Sequence, residues 1–192
     1  FYLAAKNVMH RKIIQKQIGC DEYTGIIKYD INQKDMAYRV LSDHLRTIII
    51  AINDGCIPGS NGRDYIIRKI IRRAIFYGDK LGGKALFLTE ISKLVIELFS
   101  DFYDLNFDKI ITIIKNEETL FEKTLKNGKK ILKKYIKNIR KENNTLLSGD
   151  LVFKLCTGAG LPIGIIEIIF EEQNIRIDID LYNKLLKEHK NI

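Results

Sequence analysis

Apolar residues recur every three to four positions along most of this chain, which is the spacing of one face of an α-helix. Breaks in the pattern coincide with glycine, proline and asparagine, so we expect short loops between the helices. The pattern predicts helices over residues 1–18, 34–53, 64–77, 86–103, 107–143, 150–157, 164–173 and 180–190, with a connector over 20–33. The predicted fold class is therefore all-α.

Two of these helices have features of their own. The third carries an apolar stripe from Ile66 to Ile75, and the glycine-containing segment 78–84 is expected to break it. The fifth is long and basic, with apolar positions from Ile110 to Ile139, lysines on its other faces and a relaxation expected near Asn127–Gly128. We interpret residues 1–192 as one helical domain, with a main bundle over 1–145, a loop at 55–63 and a C-terminal segment of short helices over 146–192.

The amino-acid composition limits the kinds of protein to which this chain can belong. With 46% apolar and 29% charged residues the composition is globular, and 192 residues are enough for one sizeable domain or for a compact domain with an appendage. No apolar run approaches the roughly 18 residues that span a bilayer, so no membrane partner is predicted. Cys20, Cys56 and Cys156 are odd in number and far apart, which argues against a disulfide framework and a zinc ribbon. A reducing compartment is expected, either the cytoplasm or the mitochondrial matrix.

The formal net charge of +8 is concentrated in one segment. Between Lys109 and Lys141 there are eleven lysine and arginine residues against three glutamates, and the rest of the chain is balanced. A polyanion such as structured RNA is the partner that this charge favours. The alternative is compositional, because abundant isoleucine and asparagine indicate AT-rich coding sequence, which raises lysine without selection for binding. Both interpretations stay open on the sequence alone.

Catalytic motifs are missing from the sequence. It contains no phosphate-binding glycine loop followed by lysine, no dinucleotide glycine fingerprint and no H-E-x-x-H zinc motif. His44 stands beside Asp43, but no nucleophile or second carboxylate is recognisably paired with it, so a packing or capping histidine is the simpler interpretation. No active site, metal or cofactor is predicted within the chain.

The loop before the third helix, together with the arginines that follow, is a better candidate site. Arginine forks onto phosphates, and a loop of glycine and short polar residues can approach the shallow minor groove of double-stranded RNA. The candidate RNA-binding residues of this segment are Ser60, Asn61, Arg63, Arg68, Arg72 and Arg73. The structural alternative is that the arginines pair with acids elsewhere, such as Asp43, Glu90 or Glu97.

The same segment resembles a known family. DMAYRVLSDHLRT (35–47), then D-G-x-x-P, then GRDYIIRKIIRRA (62–74) are similar to the alanyl-tRNA synthetase pattern Y-R-V-x-A-D-H-x-R-T … D-G-x-x-P-x-N-x-x-R-G-Y-V-L-R-R-I-x-R-R-A. NEETLFEKTLKNGKKIL (116–132) resembles the family's E-E-x-x-F-x-x-T-L-x-x-G, and 148–175 resembles the segment containing Y-D-T-Y-G-F-P-x-D. YTGIIKYD (23–30) looks more like the eukaryotic members. The resemblance runs in order along nearly the whole chain.

The resemblance implies a helical tRNA-recognition domain that lies between a class II catalytic domain and an editing domain. Motifs that bind ATP and alanine would precede Phe1, and the editing motifs would follow Ile192. The chain is therefore expected not to activate alanine alone, and ATP and Mg²⁺ would serve the whole enzyme elsewhere. Its implied partner is the acceptor stem of the alanine tRNA.

The family reads a G·U wobble pair in that stem with an asparagine in the loop and the aspartate of Y-D-T-Y-G-F-P. By ungapped counting these positions fall on Ser60, with Asn61 beside it, and on Thr157. Both differ from the family's residues, and the glycine of R-G-Y is Asp64 here. Serine and threonine can donate or accept hydrogen bonds, but an acidic acceptor for the guanine amino group is absent, which leaves the reading of the pair open.

Two functional hypotheses follow. In the first, the chain is the tRNA-binding domain of an alanine–tRNA ligase and positions tRNA for ATP-dependent aminoacylation by an upstream catalytic domain. In the second, it is a synthetase-derived, non-catalytic RNA-binding or scaffold subunit of a larger assembly, such as a mitochondrial ribonucleoprotein. The loss of both base-reading residues motivates the second.

Overall fold

The computed structural model describes residues 34–142 and 144–190, except the side chain of Lys190, and this part of the chain is mostly helical. The predicted helix at 1–18 and the connector at 20–33 lie outside it. The helices are α1 Lys34–Asn53, α2 Gly62–Lys80, α3 Phe87–Phe99, α4 Phe107–Lys141, α5 Gly149–Thr157, α6 Ile163–Glu171 and α7 Ile179–Lys190. The all-α prediction is confirmed, and each predicted helix within the described residues is present.

Two helix ends differ most from the prediction, since α3 stops at Phe99, four residues before the expected end, and α2 extends beyond residue 77. The segment from Gly78 was expected to break this helix, but α2 continues through Gly78 to Lys80 and ends at Leu81–Gly82. Gly78 is buried, and a β-carbon there would lie 2.7 Å from Cδ1 of Phe87. The glycine therefore allows close packing against the first residue of α3, and Gly82, at φ +81°, is where the backbone turns.

Packing divides the chain into two compact units, one ending at Phe121 and the other beginning at Glu122. The division falls inside α4, which is continuous through Asn127 and Gly128, so the expected relaxation there was wrong. A division into compact units does not test whether these units form one domain. The interpretation of residues 1–192 as one helical domain therefore stays a prediction.

The core of the first unit is built from one face of each of its helices, since apolar side chains at helical spacing are fully buried there. α1 and α2 pack along their length, and α3 contacts both. The core residues include Leu45, Ile48 and Ile52 of α1, Ile71 and Phe76 of α2, Leu88 and Ile91 of α3, and Ile110, Ile114 and Phe121 of α4. Ile66, which the sequence placed on the apolar stripe, is instead exposed at the start of α2.

The second unit combines four helices with a small sheet that the periodicity did not predict. Strands β1 (Leu146–Leu147) and β2 (Arg176–Ile177) pair in parallel, with Leu146 opposite Arg176 and Leu147 opposite Ile177. Two residues are too few to show an alternating pattern, which explains why the sequence did not predict them. The core of this unit contains Leu125, Leu132 and Ile139 of α4, Val152 and Leu155 of α5, and Ile165, Ile166 and Phe170 of α6.

Within the described residues, no helix is both long and apolar enough to cross a membrane.

The absence of a side chain at Gly128 allows α4 to pack closely against Leu161 in the loop before α6. A β-carbon at this position would lie 2.5 to 2.8 Å from three side-chain carbons of Leu161, which is itself 1% exposed, so the new carbon would displace a side chain packed in the core. We therefore predict that Gly128→Ala lowers the free energy of unfolding by about 1–3 kcal/mol, although alanine is the better helix former.

The matched control is Gly164→Ala, at an exposed position near the start of α6 where the new carbon meets only one carboxylate oxygen at 4.0 Å. This variant should be neutral or more stable by up to about 1 kcal/mol. Urea denaturation of both variants provides the comparison. Equal free energies of unfolding for the two variants would show that contact with Leu161 does not constrain the residue at position 128.

Candidate nucleic-acid interface

The loop between α1 and α2 is held by backbone geometry and presents two short polar side chains. Gly55, at φ +96°, ends α1, and the Gly59 N–H donates to the Asp64 carbonyl at 3.0 Å, which closes the loop over the start of α2. Ser60 and Asn61 are exposed in this loop. Asn61 precedes the first helical residue, but its side chain makes no capping hydrogen bond, so its amide is available to a ligand.

The arginines of α2 divide into two pairs by their environment. Arg68 and Arg72 approach Glu117 of α4, a carboxylate that is only 4% exposed. The Arg72 Nε lies 2.7 Å from Glu117 Oε1, and the Arg68 Nε lies 3.5 Å from Oε2. The hydrogen bond is made by Arg72, whereas Arg68 Nε is within ion-pair distance but lacks a hydrogen-bond partner. One buried negative charge therefore fixes two guanidinium groups.

Two further contacts fix the position of this pair. Nη2 of Arg68 donates to the Pro58 carbonyl at 3.0 Å, which ties the loop to the helix. The guanidinium of Arg72 lies 5.0 Å from the ring centroid of Phe121, within the range of a cation–π contact. The first unit thus places the loop, α2 and the first half of α4 in a defined geometry around Glu117.

Arg63 and Arg73 are exposed instead. The side chain of Arg63 is 75% exposed, and its Nε is 3.8 Å from the Asp64 carboxylate, a distance at which a surface ion pair contributes little. Arg73 lies with its guanidinium 5.8 Å from the Tyr77 ring centroid. Lys69, also exposed, lies over Tyr65 at 5.5 Å. These cations retain positive charge that is accessible to an anion, and they flank the pair held by Glu117.

His44 does not add to this charge. Burial lowers the pKa of the His44 imidazole, and the positive charge of Arg73 acts in the same direction, against a weaker opposing effect of Asp43. Its Nδ1 is 3.9 Å from Asp43 Oδ2. The histidine is therefore neutral at neutral pH. Within the described residues, no group of three histidine, cysteine or acidic side chains could hold a metal ion.

Thr157, the remaining predicted site residue, belongs to the second unit and is exposed at the end of α5. Its hydroxyl donates to the Phe153 carbonyl at 2.8 Å, so the oxygen is left as an acceptor. The next two residues, Gly158 and Ala159, line an open cleft of about 450 Å³. The other side chains around that cleft are Lys123, Thr124, Asn127, Ile131, Tyr135, Lys154 and Leu155.

The first unit therefore brings together six of the seven predicted site residues, and Thr157 is described in the other unit. The sequence interpretation did not identify Glu117. The expected ion-pair partners of the arginines were Asp43, Glu90 or Glu97, whereas Arg68 and Arg72 approach Glu117. A signal was present, because Glu117 stands on the apolar stripe of α4 between Ile114 and Phe121. A carboxylate at such a position is normally paired when it is buried.

Comparison with known proteins extends these observations. Residues 4–192 match the profile of the family described as tRNA synthetases class II (A). The chain is 36% identical over 182 residues to the cytoplasmic alanine–tRNA ligase of Bombyx mori, which covers 92% of the chain and 19% of that protein. It is 35% identical over 184 residues to the alanine–tRNA ligase of Bacillus anthracis, covering 93% and 21%, and 38% identical over 172 residues to that of Bacillus mycoides, covering 86% and 19%. The chain spans about a fifth of the length of these relatives.

The contact between Glu117 and the two arginines leads to a stability prediction. Glu117→Gln keeps the shape of the side chain but removes the buried negative charge that Arg68 and Arg72 approach. We expect the free energy of unfolding to fall by about 2 kcal/mol or more, because breaking a buried pair from one side leaves an uncompensated charge.

Glu90→Gln is the matched control, since Glu90 makes an exposed ion pair with Lys93, three residues on in the same helix. That variant should lose less than about 1 kcal/mol. Urea denaturation at neutral pH measures both. A Glu117→Gln variant as stable as the control would show that the Glu117 contact does not stabilise the first unit.

Proposed function

The chain belongs to the alanyl-tRNA synthetases of class II, as its motifs predicted, and we propose that it is the tRNA-binding helical domain of an alanine–tRNA ligase. Its role in this proposal is to position the acceptor stem of tRNA(Ala) for aminoacylation by an upstream catalytic domain. The observation that carries the proposal is the arginine cluster of α2, in which Glu117 holds Arg68 and Arg72 while Arg63 and Arg73 are exposed beside a polar loop.

The physical argument begins with the arginines. A guanidinium group donates two parallel hydrogen bonds to a phosphate, and it binds best when it is already oriented. Arg68 and Arg72 are held in position by their contacts with Glu117. Arg63 and Arg73 add two accessible charges. This arrangement favours a phosphate backbone over a small neutral ligand.

The loop supplies the groups that would approach the bases. Ser60 and Asn61 are exposed and short, so they can enter the shallow minor groove of an RNA duplex when the arginines hold its phosphates. In the proposal, Thr157 offers its oxygen as an acceptor to a guanine amino group, in place of the carboxylate that the family carries there. Phosphate contacts then contribute most of the affinity, and the base contacts are made by neutral groups.

Aminoacylation requires ATP, Mg²⁺ and alanine, and we propose that these are bound by other parts of the parent protein. The chain spans only about a fifth of the length of its relatives, and the described residues hold no cluster of metal ligands. Its identities to the silkworm and bacterial proteins are nearly equal, so closeness to eukaryotic members stays a prediction. The relatives cited are named as ligases, which does not favour the non-catalytic scaffold subunit.

The exposed arginines provide the direct test. We expect Arg63→Gln combined with Arg73→Gln to weaken binding of a tRNA(Ala) transcript about tenfold near 0.1 M salt. The slope of log affinity against log salt should become shallower by about 1.5, because two phosphate contacts are lost. Fluorescence anisotropy across a salt series measures both quantities.

The control for this experiment is Arg46→Gln combined with Arg176→Gln, which removes the same charge at exposed positions of α1 and β2. This variant should bind tRNA within about twofold of the parent chain. Equal losses in the two variants would mean that only net charge matters, and an unchanged salt slope in the first would remove the proposed phosphate contact.

The two substituted base-reading positions provide a second test. We expect the chain to discriminate weakly between acceptor stems that carry G·U and G·C. Ser60→Asn with Thr157→Asp should increase that discrimination about tenfold, because the guanine amino group makes no pairing hydrogen bond in G·U, unlike in G·C, and a carboxylate accepts from it more strongly than a hydroxyl does.

Ser100→Asn with Thr119→Asp serves as the control, since the hydroxyl of Thr119, like that of Thr157, donates to the carbonyl four residues earlier. Ser100 is likewise exposed. Paired titrations with the two transcripts give the ratio of dissociation constants. If that ratio stays the same in the first variant, Ser60 and Thr157 do not occupy the base-reading positions.

A further inference from the structure

The second half of α4 carries a continuous basic surface that the proposed acceptor-stem contact does not use. We call it the lysine ridge and define it as Lys126, Lys130, Lys133, Lys134, Lys137 and Lys141. All six side chains are exposed. They extend over about 22 Å of helix axis, at a rise of about 1.5 Å per residue. The ridge belongs entirely to the second unit.

The position of the lysines on the helix follows from its periodicity. At about 100° per residue, the six lie within about 100° of the helix circumference. Leu125, Leu132 and Ile139 lie on the opposite face, where they are buried in the core of the second unit. Gly128 packs against Leu161 on that side, and the helix is unbroken along the ridge. The core therefore fixes a straight row of cations that points away from it.

The charge of the ridge is not compensated locally. No acidic residue occurs between Lys123 and Lys141 in the sequence. Within the described part of the chain, none of the six ridge lysines makes an ion pair or a hydrogen bond through its side chain. Lysines four residues apart on a helix repel each other, so the surface destabilises the isolated chain slightly and attracts anions.

We propose that the lysine ridge binds the phosphate backbone of double-stranded RNA, as a second contact on the same tRNA that the α2 arginines hold. The inference rests on the proposed tRNA-binding function and names a further surface for it. Six charges over about 22 Å give one per roughly 4 Å of the α4 axis, a linear charge density comparable with one phosphate per about 3.4 Å of duplex axis for each strand of DNA. An unbroken helix that carries flexible cations along one side suits an extended polyanion.

The composition of the ridge favours a duplex over single-stranded RNA. Proteins that bind single strands stack bases on exposed aromatic side chains. The exposed face of the ridge carries no aromatic residue, because Phe121 is buried and Tyr135 is half-buried beside the cleft. Lysine also lacks the fork with which arginine reads guanine, so the contact is independent of base sequence.

The experiment compares RNA binding and stability of one charge-removal variant. Lys126→Gln, Lys130→Gln, Lys133→Gln and Lys137→Gln are combined, since glutamine has nearly the same helix propensity as lysine. Near 0.1 M salt we expect at least tenfold weaker binding of the tRNA(Ala) transcript, and a salt slope that is shallower by about three. A random 20-base-pair RNA duplex should lose affinity by a similar factor. The urea midpoint should stay the same or rise, because helix repulsion is relieved.

The control removes the same number of charges elsewhere. Lys84→Gln, Lys115→Gln, Lys184→Gln and Lys187→Gln change exposed lysines that lie outside the ridge. This variant should bind both RNAs within about twofold of the parent chain. Equal losses in the ridge and control variants would overturn the proposal, because net charge alone would then explain them. An unchanged affinity of the ridge variant would also overturn it.

Further outcomes separate this inference from the proposed function. If the parent chain binds tRNA and the Arg63/Arg73 variant loses affinity while the ridge variant does not, the ridge contact fails and the acceptor-stem contact stands. If the parent chain binds no RNA, both fail. If the ridge variant loses affinity only for anionic phosphatidylserine vesicles and not for RNA, the partner is a lipid surface and the proposal is wrong.

Discussion

Two buried carboxylates on the long helix α4 are the constraint on which the first unit depends. Glu117 approaches two arginines of α2. Its neighbour Glu118 accepts hydrogen bonds from the backbone N–H groups of Leu88 and Thr89, at 2.7 and 2.8 Å, and also from the Thr89 hydroxyl. Glu118 thereby accepts hydrogen bonds from N–H groups in the first turn of α3. The N-cap residue of that helix, Leu86, has an apolar side chain that cannot accept them. Consecutive residues of one helix thus orient two others.

This constraint determines what the arginine cluster can do. Four arginines close together on one helix would repel each other and would adopt many side-chain conformations in water. Glu117, a carboxylate that is almost excluded from solvent, contacts two of them and reduces the local charge, while the outer two remain exposed. In the proposed complex, the inner pair sets the geometry of the phosphate contact at a low entropic cost, because its conformations are already restricted before RNA binds.

The helices could be predicted from the sequence because their apolar residues recur at helical spacing over nine or more positions. The features that the sequence did not predict depend on tertiary contacts. Gly78 reads as a breaker in the sequence, but Phe87 packs against it and the helix continues. The pairing of Leu146–Leu147 with Arg176–Ile177 joins segments that are distant in sequence, and each strand is too short to have a pattern. The arginines and the loop were predicted as candidate site residues, whereas their ion-pair partner depends on how α2 packs against α4.

The two basic surfaces differ in a way that gives them separate roles in the proposed complex. The arginine cluster contains an acidic residue, so part of its charge is already neutralised and its geometry is fixed. The lysine ridge has no acidic residue within it, and its flexible side chains place point charges without a preferred orientation. Attraction at long range and sensitivity to salt therefore arise mainly from the ridge, and register on the acceptor stem arises mainly from α2. In the proposed complex Ser60 and Thr157 contact the bases only through neutral groups, so discrimination between RNA sequences depends on the register that α2 sets.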